Sequence, residues 1–209
     1  MKILDQKATE FIGLLSSKAP VPGGGGAAAT VGALASALGM MVANLTVGKK
    51  KYADVEEEIC QVREQLEILR DKLIVYTDKD AEAFEPLAKA YKLPKSTPEE
   101  VAEKACVMEN ALYQASIVPL ETMEIIYQVM ELLEVLGEKG SRMALSDVGV
   151  GVLFARSALE SSSLNVYINT KCMKDRKVAE EMNQKADALI EKARKLEEKI
   201  YSDVLVQLR

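Results

Sequence analysis

Residues 62–87 read VREQLEILRDKLIVYTDKDAEAFEPL, and the placing of the apolar side chains within them decides the fold. Val62, Leu66, Leu69, Leu73, Tyr76, Asp80, Ala83 and Leu87 follow one another at spacings of 4, 3, 4, 3, 4, 3 and 4. This heptad-like progression is the seam of a long helix turned towards a core or a partner helix; a strand, whose faces alternate every second residue, does not produce it. Asp80 is the one charged member of the seam. Burial disfavours the ionised carboxylate, so its pKa is expected to rise towards the range useful for general acid–base work. Asp78 and Glu82 fall on another face and read as solvated. A structural reading of Asp80 stays open at this point: a buried Lys or Arg that neutralises it, or a place at the open end of the seam.

Glycine extends the helical reading to the whole chain. Eight of the 12 glycines lie between Gly13 and Gly48, none between residues 49 and 136, and none after Gly151. So long a glycine-free stretch, with few β-branched alternations, leaves no room for hairpin turns. The fold class expected is all-α: a single-domain, multi-helix bundle over residues 1–209, with short connections. A first helix is expected over about Asp5 to Ser16, with Ile12 and Leu15 buried. Next come the Ala19–Pro22 loop, the Gly23–Gly26 run and a small-residue helix to about Thr46. The seam helix should run from near Asp54 to about Tyr91. Thr97-Pro98-Glu99-Glu100 carries an N-cap Thr, Pro at the first helical position and Glu three residues after the cap, a strong helix start. That helix is expected to kink or break near Pro119 and to end at Gly137. Ser146-Asp147 reads as the cap of a further helix. Asp175 caps the last, which carries Met182, Ala186, Leu189, Ala193, Leu196 and Ile200 on one face.

Composition removes several function classes. The 209 residues carry 48 % apolar and 28 % charged side chains, ordinary globular values. The 27 basic and 32 acidic groups give a net charge of −5, too acidic for non-specific nucleic-acid binding. There is no histidine, which removes Ser-His-Asp and Cys-His nucleophile systems and imidazole-ligated metal. Acid–base chemistry therefore falls to carboxylates, Lys, Tyr or a thiol. Cys60, Cys106 and Cys172 lie far apart without CxxC spacing and read as reduced thiols of a cytoplasmic protein. Asp5 interrupts what a signal peptide would need as an apolar stretch.

From Ala19 to Gly48 there is no charged residue, and the length would satisfy a membrane span. The segment opens on prolines and glycines and continues mostly in Ala and Gly, with Ser36 and Asn44 inside. Small residues permit close helix–helix approach, so a buried helix, not a membrane span, is expected. Gly23, Gly24, Gly25 and Gly26 lack the closing Lys-Ser/Thr of a phosphate loop and the preceding strand of a dinucleotide fingerprint. They allow close backbone approach to a ligand and present free N–H groups, although a flexible turn between packed helices explains them as well. Lys49, Lys50 and Lys51 either offset the dipole at a helix C-terminus or suit a ligand carrying carboxylates. Asn165 and Asn169, one helical turn apart, share a face and could hold a polar ring or bridge two helices.

Taken together these stretches resemble the folate-dependent cyclodeaminase/cyclohydrolase family. The resemblance rests on Ala19–Gly25 (APVPGGG), Leu45–Tyr52 (LTVGKKKY), Asp78–Phe84 (DKDAEAF), Leu93–Glu100 (LPKSTPEE), Ser146-Asp147 and Asn165–Asn169 (NVYIN), which occur in family order along nearly the whole chain. One departure is visible: Gly26 stands where the family pattern leads one to expect Ser, as a helix cap and possible donor. The resemblance implies an all-α homodimer with active sites near the subunit interface and a tetrahydrofolate substrate, with no other cofactor and no metal. It also implies acid–base duty for Asp80, and substrate contacts from Gly23, Gly24, Gly25, Lys49, Lys50, Lys51, Asp147, Asn165 and Asn169. The lysines would meet a polyglutamate tail. The implied reaction is formiminotetrahydrofolate cyclodeamination, placed first by a small margin over methenyltetrahydrofolate hydrolysis. Both pass through a tetrahedral carbon between N5 and N10 of the folate. No nucleic acid or membrane partner is expected.

Overall fold

In the computed structural model, which describes residues 2–209, the seam positions face inward as their spacing requires. The seam helix spans Glu56–Tyr91 and is the third of six α-helices: α1 Ala8–Leu15, α2 Gly24–Asn44, α3 Glu56–Tyr91, α4 Pro98–Lys139, α5 Leu145–Thr170 and α6 Arg176–Leu208. Short 3-10 turns at Ile3–Asp5, Lys50–Val55 and Arg142–Ala144 complete the regular structure, and no strand occurs among the described residues. Val62, Leu66, Leu69, Leu73 and Leu87 are buried, with Leu66 and Leu73 wholly removed from solvent. Truncating either to Ala would cost about 2–5 kcal/mol.

The direction of each helix follows from what it touches. Gly26 lies against Thr77 and Gly39 against Leu66, so α2 and α3 are antiparallel. Gly32 meets Ile126 and Gly39 meets Leu133, so α4 runs with α2; Gly24 meets Asn165 while Gly151 approaches Ala35, so α5 runs against α2. Glu160 pairs with Arg194 and Thr170 with Asn183, which sets α6 antiparallel to α5. The result is an up–down bundle in which α2 lies against α3, α4 and α5.

That placing accounts for the uncharged stretch. α2 is the one described helix long and apolar enough to cross a membrane by length and composition, yet its Gly25, Ala28, Ala29, Gly32, Ala35, Ser36, Gly39 and Val42 are buried in the bundle. A Cβ on Gly32 would stand 2.8 Å from Ile126, and one on Gly39 would stand 2.9 Å from Leu66. Hydrogen at these positions is what lets α2 settle against α3 and α4. The Ser36 hydroxyl donates to the Leu66 carbonyl at 2.7 Å, so its burial leaves no polar group unpaired.

The caps at Thr97 and Asp175 form as expected. Thr97 accepts from Glu100 N–H while the Glu100 side chain returns to the Thr97 backbone, and Asp175 accepts from Lys177 and Val178. Three expectations are corrected. Ile12 and Leu15 are exposed, because α1 packs only against the N-terminal turn and buries nothing. α4 passes through Pro119 without a break and ends at Lys139, beyond Gly137. α5 begins at Leu145 after Ala144, so Asp147 lies in its first turn and caps nothing.

Candidate active site

The site is built where α2 begins. Gly23 occupies the N-cap position and has no side chain to close the helix. The N–H groups of the first turn therefore lack intrahelical partners. Asp80, reaching across from α3, supplies the missing acceptor: Gly26 N–H donates to Oδ2 at 2.8 Å. Gly26 is thus the third residue of the helix, not its cap, and the Ser expected there would have been a first-turn residue. The positive end of the α2 dipole favours an anion at this point.

Burial dominates the electrostatics of Asp80. It pushes the carboxyl above its ordinary value, and the Gly26 hydrogen bond pulls back less strongly. No cation contributes to the balance, which removes the ion-pair reading left open by the sequence. Oδ1 has no partner among the described residues, and no buried side-chain oxygen is left unpaired, so Oδ1 faces accessible space. Gly25 packs directly on the carboxylate: a Cβ there would lie 2.5 Å from Asp80 Cγ. Asp78 is spent otherwise, accepting the Ile3 N–H at 2.8 Å and tying the N-terminal turn to α3.

The accessible space is a cavity of about 270 Å³ lined by Gly23, Gly24, Gly25, Asp80, Asn165 and Asn169, with Phe84, Tyr91, Ile168 and Cys172 among its apolar walls. Both asparagines thus meet the glycine turn and the aspartate, as their shared face on α5 predicts. The Asn165 amide donates to Ser161 O at 3.2 Å, and the Asn169 amide donates to Ala115 O at 2.9 Å. Phe84 and Tyr91 were not singled out from the sequence, although the signal was present: they stand four and eleven residues after Asp80, on its own helix face. Larger clefts around Tyr113 (about 520 Å³) and Tyr76 (about 670 Å³) lie elsewhere on the bundle and include neither the α2 terminus nor Asp80.

Lys49, Lys50, Lys51 and Asp147 are not part of this cavity. α2 separates the lysines from the glycine turn by its 21 residues, about 30 Å at 1.5 Å per residue. Lys49 Nζ lies 3.4 Å from the Ser141 hydroxyl, and Lys51 Nζ lies 5.5 Å from the centre of the Tyr52 ring. Asp147 opens α5 at the same far end, while Asn165 and Asn169 lie towards the near one. The residues singled out from the sequence thus form two groups at opposite ends of the bundle.

Chemically, the near end offers a carboxyl of raised pKa beside helix N–H donors, which suits taking up and returning a proton next to a polarised carbon. Among the described residues no three Cys, Asp or Glu side chains converge as metal ligands would. The formiminotransferase-cyclodeaminase family matches residues 7–188. A methenyltetrahydrofolate cyclohydrolase of Methylorubrum extorquens is 46 % identical over 194 residues, covering 93 % of each chain. A formimidoyltransferase-cyclodeaminase of Mus musculus is 31 % identical over 192 residues, which is 92 % of this chain and 36 % of that one. The crystal structure of formiminotetrahydrofolate cyclodeaminase from Thermotoga maritima superposes with a TM-score of 0.83 at 33 % identity, over 97 % of this chain and 99 % of that one. On this extent of similarity, with the Asp80 cavity inside the matched region, the chain belongs to the formiminotransferase-cyclodeaminase family.

Proposed function

We propose that this chain is a folate one-carbon enzyme that hydrolyses 5,10-methenyltetrahydrofolate to 10-formyltetrahydrofolate. The observation that carries the reading is the Asp80 carboxyl of raised pKa, fixed at one oxygen by Gly26 and open to the cavity at the other. The order given by the sequence is reversed in favour of hydrolysis, because the cyclohydrolase relative is more identical and matches end to end, whereas the chain spans about a third of the bifunctional relative. Cyclodeamination stays as the second reading, favoured by the Thermotoga maritima structure.

In the hydrolytic direction water attacks the methenyl carbon and Asp80 accepts one of its protons, giving a neutral tetrahedral carbinol. The bond from that carbon to N5 then breaks as N5 takes the proton from Asp80. The carbinol hydroxyl releases its own proton as the formyl C=O forms on N10, so one proton leaves overall. For 5-formiminotetrahydrofolate with its imino nitrogen protonated, N10 attacks the formimino carbon, the Asp80 carboxylate takes the N10 proton and passes it to the amino nitrogen, and that nitrogen leaves as NH3 to give the methenyl product. In that reaction the nucleophile is already tethered, so positioning supplies much of the rate.

A homodimer completes the reading. The cavity, at about 270 Å³, falls just below the roughly 300–1,000 Å³ usual for whole small-molecule pockets. It suits the pterin end of a folate and leaves the glutamate end outside. The outer faces of α2 and α5 expose Leu34, Met41, Phe154, Leu164 and Ile168 with no charge among them, a surface suited to a second copy. A two-fold axis perpendicular to the helices would lay the partner's lysine end beside each glycine end, where Lys49, Lys50 and Lys51 would meet a polyglutamate tail. Asp147 would arrive with them. The reading needs no cofactor beyond the tetrahydrofolate substrate and places the enzyme in the cytoplasm. The deciding experiment is an ultraviolet assay of purified protein, following loss of methenyltetrahydrofolate in one run and its formation from formiminotetrahydrofolate in the other. Turnover of neither would refute the proposal, and turnover of the second alone would select the cyclodeaminase.

A further inference from the structure

Pro119 lies well inside α4, and it lacks the N–H that the helix would use there. In an α-helix the carbonyl of residue i accepts from the N–H of residue i+4, so the carbonyl left without a partner is that of Ala115. The pyrrolidine ring also crowds this carbonyl. A buried backbone carbonyl is normally paired, and here the partner comes from another helix: Asn169 Nδ2, on α5, donates to Ala115 O at 2.9 Å. Ala115 and Asn169 both line the Asp80 cavity.

This pairing fixes the polarity of the amide. A carbonyl accepts only from the NH₂ side of a carboxamide, so Asn169 commits one N–H to α4, which fixes the sense of the amide and leaves Oδ1 as its acceptor. One turn earlier Asn165 makes the same commitment, its nitrogen donating to Ser161 O at 3.2 Å. The α5 wall of the cavity therefore offers acceptors. We propose that Pro119 is a positioning residue: by withholding an N–H from Ala115 it anchors Asn169 Nδ2 and leaves Asn169 Oδ1 to accept an N–H of the substrate's reduced pterin ring. This rests on the folate reading above. The pterin carries a 2-amino group and ring N–H groups as donors, and an amide locked in this sense rejects a ring that presents an acceptor at the same place, because both oxygens would then go unpaired.

The test compares Pro119→Ala, Asn169→Ala and the double variant. Ala at position 119 restores the N–H and is the better helix former, so the variant folds. Asn169→Ala is expected to raise KM for methenyltetrahydrofolate about tenfold with kcat within about threefold of the parent. Pro119→Ala is expected to raise KM in the same direction, and the double variant to be no worse than Asn169→Ala, since both changes act on one contact. A bracket that only joins α4 to α5 would move the unfolding midpoint and leave KM alone. An unchanged KM in Asn169→Ala overturns the proposal, as does a Pro119→Ala effect that persists undiminished in the Asn169→Ala background. Exchange of the Asn169 side-chain amide protons, read by NMR without substrate, keeps this separate from the folate reading. Slow exchange in the parent and fast exchange in Pro119→Ala support the anchoring even if no folate is turned over; fast exchange in the parent overturns it.

Discussion

Adding one methyl group at Gly25 tests whether the glycine turn exists to admit Asp80. The Cβ of Gly25→Ala would lie 2.5 Å from Asp80 Cγ and 2.8 Å from Oδ2, whereas ordinary contact begins at 3.4 Å. The carboxylate must withdraw by roughly 1 Å, a displacement of the size that costs about 10²-fold in rate when it moves a reacting group. Withdrawal also stretches the 2.8 Å bond from Gly26. Losing a hydrogen bond to a charged group costs about 1.5–3 kcal/mol, and the better helix propensity of Ala returns up to about 1 kcal/mol. The variant should stay folded, with a melting point a few degrees lower and kcat about 10²-fold down. Gly13→Ala is the control, since Gly13 lies on exposed α1 outside the cavity and a Cβ there meets nothing within 4 Å. Initial rates of methenyltetrahydrofolate hydrolysis, with melting by circular dichroism, read both effects. A Gly25→Ala enzyme within about threefold of the parent, or a Gly13→Ala enzyme equally impaired, would refute the reasoning.

Asp80→Asn should lower kcat by about 10²–10⁴ while keeping the fold, measured at saturating substrate. Because burial raises the Asp80 pKa, the folded chain holds a proton that the unfolded chain has already released between the ordinary aspartate value and the raised one. The parent therefore loses stability as pH rises through that window and the amide variant does not, so urea midpoints at acidic and neutral pH should move in favour of Asp80→Asn at the higher pH. Replacing Lys49, Lys50 and Lys51 together by Gln should raise KM for polyglutamylated substrate more than for monoglutamate, with kcat nearly unchanged and the difference shrinking as salt rises. Equal changes for both substrates would remove the tail-binding role. Phe154→Arg, on the exposed apolar face of α5, should give a monomer by size exclusion and lose turnover with it; a monomer of full activity would show that one chain holds the complete site.

The long helices were legible because their apolar spacing is a direct geometric consequence of the turn. The α3 seam kept its order from Val62 to Leu87, and Asp80 was separable from Asp78 by helix face alone. What the spacing left open was set by tertiary partners. Pro119 predicts a kink or break in α4, but the carbonyl it strands is taken by Asn169 from another helix, and the helix continues to Lys139. Ile12 and Leu15 had the right character for burial, yet α1 has only the short N-terminal turn against it and buries no residue. Gly26 read as a cap because the glycine run has no internal marker of where the helix begins; that is decided by Asp80, 54 residues away. Phe84 and Tyr91 were hidden because an aromatic on a helix face is ordinarily core, and only the cavity beside them distinguishes the two cases.

The division of the candidate residues between the two ends of the bundle fits the chemistry proposed for each group. A carboxyl keeps a raised pKa only while it is buried and has no cation beside it; Lys49, Lys50 or Lys51 next to Asp80 would pull the pKa back into the ordinary carboxylate range and remove the proton it is proposed to carry. A glutamate tail needs the opposite surroundings, several exposed cations and no burial. Within one chain α2 keeps the two apart, with an N-terminus that meets Asp80 and a C-terminus that leads into the lysine run. In the proposed dimer, a second copy laid antiparallel on the uncharged outer face of α2 would bring cations to the outer mouth of the cavity without bringing them to the carboxylate. On that proposal the same helix, small-sided where it packs on α3 and α4 and apolar where it faces outward, would tie proton transfer, substrate length and dimerisation to one stretch of uncharged sequence.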